Sequence, residues 1–231
     1  MVNMVGVTRE KLISEFHLLE KKAEMLNIEP IDVFLIGGGN LALRGLKSST
    51  KDVDIVVIDR RQFSLLQNLL EKPVRGHPIY LRQYKSEWEY DLGMTAKYVY
   101  PAERFNLDVF VKRVYKRLHL SESMVSRVEV PKEFASHEFF RIYLVSKEDI
   151  FLFKSVTSIE RTRDVGDLVT LVETGLKYDL IIQEFENQLS MDDSLKILIS
   201  EMIERVDTLM RQSGTVKGLN HFRKYLERTE G

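Results

Sequence analysis

The sequence contains no cysteine. That excludes disulfides, zinc–thiolate sites and cysteine nucleophiles together. It also carries almost no net charge: 34 Lys and Arg stand against 35 Asp and Glu, a formal charge of −1 at pH 7. Global charge therefore says nothing about an acidic partner, and any basic surface must be local. No apolar run approaches the ~20 residues of a membrane-spanning helix, and the N-terminus shows no signal-peptide pattern. A cytoplasmic protein with no membrane partner is the expectation. The histidines His17, His77, His119, His137 and His221 lack metal-ligand spacing, and no internal repeat or low-complexity linker is visible. With 231 residues the chain is long enough for one large domain or two modest ones with a proper core.

What is present is a run of alternating strand and helix patterns. Thr8 to Leu26 has apolar residues at helical spacing behind a capping threonine. Ile31–Ile36 reads as a strand and Arg60–Glu71 as a helix stopped before Pro73. Ile79–Leu81, Lys97–Tyr100 and Leu107–Val111 read as further strands, with a polar, aromatic stretch around Trp88 and Tyr90 between the first two. Lys112, Arg113, Lys116 and Arg117 put four cations within six residues. They predict either a solvated helix face or a surface for RNA phosphates. Arg141–Val145 is one more strand, and Ser146 to Asp149 opens a helix with a capping-box-like arrangement. Beyond it only helices are expected, separated near Gly175, Ser190–Asp193 and Gly214–Gly218. The fold class expected is α/β (α+β), a short mixed sheet in residues 1–145 followed by an all-helical half in 146–231.

One stretch, FLIGGGNLALRGLKSSTKDVDIVV from Phe34 to Val57, organises the rest. Gly37, Gly38 and Gly39 follow an apolar strand directly, so the backbone can turn tightly and present bare N–H groups. Asn40–Gly45 reads as one or two helical turns, which would place the glycines at a helix N-terminus favourable to an anion. In Asp52-Val53-Asp54, residues i and i+2 project from one strand face roughly 6.5 Å apart, close enough to share a divalent ion. A single acid recurs in the strand pattern around Asp108. Asp91 is a rival, but it precedes Leu92-Gly93 and reads as a turn residue. A glycine-rich turn and an edge strand with solvated acids would explain either motif alone. The ordered set of strand, glycines, short helix, Asp-x-Asp strand and later Asp strand is more specific.

This order resembles the signature of the DNA polymerase beta-like nucleotidyltransferase superfamily. The segments GGGNLAL and STKDVDI are similar to the AbiEii-type toxin branch. The resemblance implies that Asp52, Asp54 and Asp108 bind Mg²⁺ (or Mn²⁺), and that an NTP is bound by Gly37, Gly38, Gly39, Thr50 and Lys51. Gly39 stands where that branch commonly has Thr or Ser, and Ser48 where it has Arg, so a hydroxyl and a cation are missing from those positions. A second segment, Lys154 followed by Arg161-Thr162-Arg163-Asp164-Val165-Gly166-Asp167-Leu168, resembles a further motif of the branch. It implies a catalytic Lys154 at the triphosphate, with Asp164 and Asp167 near the nucleotide. From the residues alone, Lys154 in an apolar helix needs a carboxylate or a phosphate, and a structural ion pair serves as well. Asp164 and Asp167 share a helix face, so one is expected to pair with Lys154 and the other to meet solvent or substrate. The activity implied is transfer of a nucleoside monophosphate to a tRNA 3′ end or other RNA, in a toxin–antitoxin context with a cognate antitoxin protein. A catalytically silent fold that binds nucleotide or protein is the alternative.

Overall fold

Side chains alternate between the two faces of each central strand, and the acids of Asp52–Val57 and Phe105–Val111 fall on one face while the other is apolar throughout. The computed structural model describes residues 6–85, 93–100, 105–115, 117–157, 164–214 and 216–230. Unit one takes residues up to 116 together with 128–145, and unit two takes 117–127 together with 146–231.

In unit one, β1 (Val7–Thr8) leads into α1 (Arg9–Met25), whose N-cap Thr8 accepts from the Lys11 N–H. Then come β2 (Ile31–Ile36), α2 (Gly37–Leu43), β3 (Ser49–Thr50), β4 (Asp52–Val57) and α3 (Arg60–Glu71), the last capped by Asp59. The strands β5 (Leu81–Gln83), β6 (Ala96–Tyr100), β7 (Phe105–Val111), β8 (Arg113–Val114) and, after a gap in sequence, β10 (Phe140–Leu144) complete it. Six of them form one mixed sheet in the order β10-β2-β4-β7-β6-β5. β10 runs parallel to β2 and β4 parallel to β7, while the other neighbours are antiparallel.

One face of this sheet is apolar. Val33, Leu35, Val53, Ile55, Val57, Leu107, Val109 and Ile142 share a single buried cluster with Leu12, Phe16 and Leu19 of α1 and Phe63, Leu66 and Leu69 of α3. The residues between them, Asp52, Asp54, Asn106 and Asp108 among others, therefore project from the opposite face. Burying each large apolar side chain contributes about 1.5–3 kcal/mol, so this cluster fixes which way β2, β4, β6, β7 and β10 face.

Unit two contains β9 (Leu118–His119), α4 (Glu122–Ser126), α5 (Lys147–Thr157), α6 (Asp164–Glu173), α7 (Tyr178–Met191), α8 (Ile199–Ser213) and α9 (Lys217–Glu230). Gly175 and Gly214, both at φ 76°, turn the chain between helices. Phe151 of α5 meets Tyr178 and Phe222 edge-on in its core. Ser146 caps α5 by accepting the Asp149 N–H, and its hydroxyl donates to the Asp149 carboxylate, so the cap uses side chain to side chain where a capping box would use the Ser146 backbone N–H. Residues 117–127 join this unit through a buried polar network. Arg127 pairs with both Asp149 and Glu184, and Ser121 and Ser123 donate to Glu184. Gln188 bridges the backbone N–H and C=O of His119. Burial pushes the Glu184 carboxyl up, but the donors Ser123, Gln188, Arg127 and Ser121 together hold it below its usual range.

Four expectations need correction. The helix after β2 begins at Gly37 and contains the glycines, rather than starting at Asn40. The strand expected at 79–81 is Leu81–Gln83. Residues 117–127 group with the helical half, not with the sheet. The basic run is not a helix: Lys112 and Tyr115 sit at φ 59° and 55°, and Arg113–Val114 between them is extended. Left-handed residues at both positions break helical repetition whatever the charge pattern. Trp88, Tyr90, Asp91, Lys116, Arg161 and Arg163 lie outside the described residues.

Lys22 of α1 is fully buried, and its ammonium donates to the carbonyls of Pro78 (2.7 Å) and Leu70 (3.3 Å). Burial pushes its pKa down to about 8, well under the ordinary lysine value. The folded state then holds this proton less tightly than the unfolded chain, so stability from this group rises with pH between about 8 and 10. The slope approaches about 1.4 kcal/mol per pH unit inside that window. Melting curves of the wild type and Lys22→Met across this range should diverge in favour of the wild type as pH increases. Parallel curves would show that the ammonium is not the titrating group.

Candidate functional site

The acids gather because β4 lies between β2 and β7. The register sets Ile36 opposite Asp54 on one side and Asp108 opposite Asp54 on the other. The next strand places Lys97 of β6 opposite Asp108, and the edge strand places Gln83 opposite Lys97. Asp54, Asp108, Lys97 and Gln83 thus form one row across a single face, with neighbouring strands about 4.8 Å apart. Asp52 stands one step along β4, opposite Asn106. All three acids expected from the sequence share this face. Asp108 is buried, at 8% exposure.

The carboxylates are individually held. The Asn106 amide donates to Asp52 Oδ1 at 2.9 Å, and the Tyr115 hydroxyl to Asp54 Oδ1 at 3.3 Å. Asn106, Lys97 and Tyr115 carry no motif of their own. The first two become visible only through strand register, and Tyr115 only through the turn that returns it to the sheet.

Each glycine has a separate steric reason. Gly37 has φ 61°, and a methyl there would overlap Asp54 Oδ2. A side chain at Gly38 would strike Thr50 Oγ1, and one at Gly39 would come within 3.1 Å of Val53 Cγ1. The glycines therefore let α2 lie against β3 and β4, which a strand-to-helix junction with side chains could not do. Thr50 is buried and donates to the Asp52 carbonyl at 2.8 Å, which fixes the entry to β4, while Lys51 is exposed. Asn40, fully buried, donates to the carbonyls of Leu35 and Val145 and so ties α2 to the end of β2.

Among the described residues, no three His, Cys, Asp or Glu side chains converge into a ready-made metal cage. The donor set still fits a hard cation. Mg²⁺ prefers oxygen ligands and is commonly held by one or two carboxylates together with substrate phosphates. Asp54 and Asp108 in register, with Asp52 beside them, supply those carboxylates.

Lys154, in unit two, is buried and meets both of the partly buried carboxylates it was expected to choose between. Its ammonium lies 3.0 Å from Asp164 Oδ1 and 2.8 Å from Asp167 Oδ2. Burial opposes its charge, but Asp164 and Asp167 more than offset that and raise its pKa. The expectation that one acid would stay available to solvent or substrate is corrected: both α6 acids turn toward the same ammonium.

No protein-family model matches the sequence, and no curated protein matches it. Among solved structures, the chain is similar to a protein from H. pylori provisionally assigned as a nucleotidyltransferase, at 16% identity and a TM-score of 0.43, over 96% of this chain and 93% of that one. It is also similar to ANT(2″)-Ia in complex with adenylyl-2″-tobramycin, at 11% identity and a TM-score of 0.40, over 84% of this chain and 97% of that one. The functional reading rests on the chain's own geometry.

Proposed function

We propose that the protein is a divalent-metal-dependent nucleotidyltransferase, moving a nucleoside monophosphate from an NTP to an acceptor hydroxyl. The observation that carries this reading is the row of Asp54 and Asp108, in register on parallel strands, with Asp52 on the same face and Gly37 against Asp54. Like-charged carboxylates at that spacing repel, and a cation between them relieves the repulsion. Asp52 and Asp54 would hold Mg²⁺ or Mn²⁺, with Asp108 as a further ligand. A bound ion supplies neutralisation of phosphate charge and a lowered pKa for the attacking hydroxyl.

The chain's own residues do the remainder. Amides in the first turn of α2 are not consumed by the helix and would donate to triphosphate oxygens. Asp108 would accept the proton of the acceptor hydroxyl as its oxygen bonds to the α-phosphorus. The bond from that phosphorus to the bridging oxygen breaks, and pyrophosphate leaves. The finer reading has an RNA acceptor such as a tRNA 3′ end, a toxin role and a cognate antitoxin. What supports the RNA is the pair of exposed cations Lys112 and Arg113 directly beyond β7, which suit phosphate contacts.

Incubation with each radiolabelled NTP, Mg²⁺ and bulk RNA tests the reading. Asp54→Ala and Asp108→Ala should each abolish transfer and leave the melting temperature unchanged or slightly raised, since one of two repelling charges is gone. Transfer that survives both substitutions, or is indifferent to chelation, would remove the metal site.

Lys154 separates an active enzyme from a silent fold. Lys154→Met leaves two partly buried carboxylates without their cation and should lower stability by about 3 kcal/mol, the lower end for breaking a buried pair. The triple variant Lys154→Met, Asp164→Asn, Asp167→Asn removes all three charges and should recover most of that loss. If the triple variant melts like the wild type and transfers normally, Lys154 is structural. If it melts like the wild type and transfers ~100-fold more slowly, the cluster serves the reaction.

A further inference from the structure

The turn after β7 contains the most strained backbone near the acids. Among the described residues only Asn27, Lys112 and Tyr115 are non-glycine residues at positive φ, and two of these lie within four positions of each other. A left-handed conformation costs such residues of order 1 kcal/mol or more each, and it persists where surrounding contacts over-determine it. The contacts here are identifiable. The Lys112 N–H still donates to the Val57 carbonyl at 2.8 Å, continuing the β4–β7 pairing to its last position. The chain then reverses, and the Tyr115 ring packs on Phe110 of β7 at a centroid distance of 5.1 Å. Phe110 is two residues beyond Asp108 and fully buried, so it projects from the acid-bearing face. Resting on it, the phenol reaches back along that face to Asp54 Oδ1.

We infer that Tyr115 is a positioning residue for the metal site: it pins the Asp54 carboxylate through Oδ1 and so sets the direction in which Asp54 offers its oxygens to the ion. This rests on the metal-site reading above. The physical case is that Asp54 is confined from both sides. Gly37, with no side chain, leaves room for Oδ2, while the phenol takes Oδ1. A carboxylate fixed in one rotamer does not have to be ordered when the ion arrives, and an outer donor of this kind is typically worth 10–100-fold in metal affinity. Strain in the turn is then the cost of delivering a long aromatic side chain to a strand it does not belong to.

The test is direct Mn²⁺ binding, followed by the electron paramagnetic resonance of free Mn²⁺, on wild type, Tyr115→Phe and Asp54→Ala, with melting temperatures alongside. Tyr115→Phe keeps the ring on Phe110 and loses only the hydroxyl, so its melting temperature should stay close to wild type. Its Mn²⁺ dissociation constant should rise at least tenfold, while Asp54→Ala shows no binding at this site. An unchanged dissociation constant in Tyr115→Phe, with binding lost in Asp54→Ala, overturns the role of Tyr115 and leaves the metal site standing. Binding that is undetectable in the wild type, or equal in Asp54→Ala, overturns the metal site and this inference with it. A Tyr115→Phe variant that no longer folds would also overturn it, since the hydroxyl would then be holding the fold rather than the carboxylate.

Discussion

Asp54 and Asp108 are held side by side by six consecutive in-register pairs between β4 and β7. In water two charges at strand spacing repel by about 1 kcal/mol, and by more where solvent is excluded. Against this stand Val53, Ile55, Val57, Leu107 and Val109, all buried on the other face at 1% exposure or less. Their burial contributes of order 10 kcal/mol in total. Sliding one strand by a single residue would turn its acids into the core and expose those side chains. The apolar face therefore dictates the acidic one, and the sheet keeps its carboxylates together at a cost it easily tolerates.

The same logic explains why glycine and strain flank the row. β2 must end and α2 begin beside Asp54, so the junction takes a residue with positive φ and no side chain, Gly37. At the far end of β7 no glycine is present, and the chain reverses through Lys112 and Tyr115 at the expense of two left-handed residues. Glycine would relax that turn. It would also remove the phenol that the turn brings to Asp54.

The sheet and the acids were legible because both depend on a period of two. The Asp-x-Asp step in β4 and the alternation around Asp108 set which side chains share a face, whereas the adjacency of the two strands came only with the sheet order. What was not legible depends on register or on dihedral angles. Lys97 and Asn106 are neighbours of Asp108 and Asp52 through pairing that no spacing in the chain encodes. The basic run read as a helix because charge composition carries no information about φ. His17 and His137, which show no ligand spacing, meet at 2.9 Å across 120 residues, with His137 Nδ1 facing the Phe140 carbonyl. This is a core contact, and it assigns Nε2 of His137 as the acceptor from His17.

Among the described residues of the helical unit, Arg127 and Lys154 are each held inside by two carboxylates, and the two clusters balance their surplus negative charge differently. Around Arg127, with Asp149 and Glu184, neutral donors take up the remaining lone pairs: Ser121, Ser123, Asn187 and Gln188 all bond Glu184, and Ser146 bonds Asp149. Around Lys154, the two acids occupy the first turn of α6, where unpaired backbone N–H groups and the helix dipole favour negative charge. Each cluster is thus stabilised without any outside group. An ammonium already shared by Asp164 and Asp167 has little attraction left for a third anion unless one of them lets go. For Lys154 the structural pair is accordingly the stronger of the two roles that its sequence position left open, and the case for chemistry rests on the sheet.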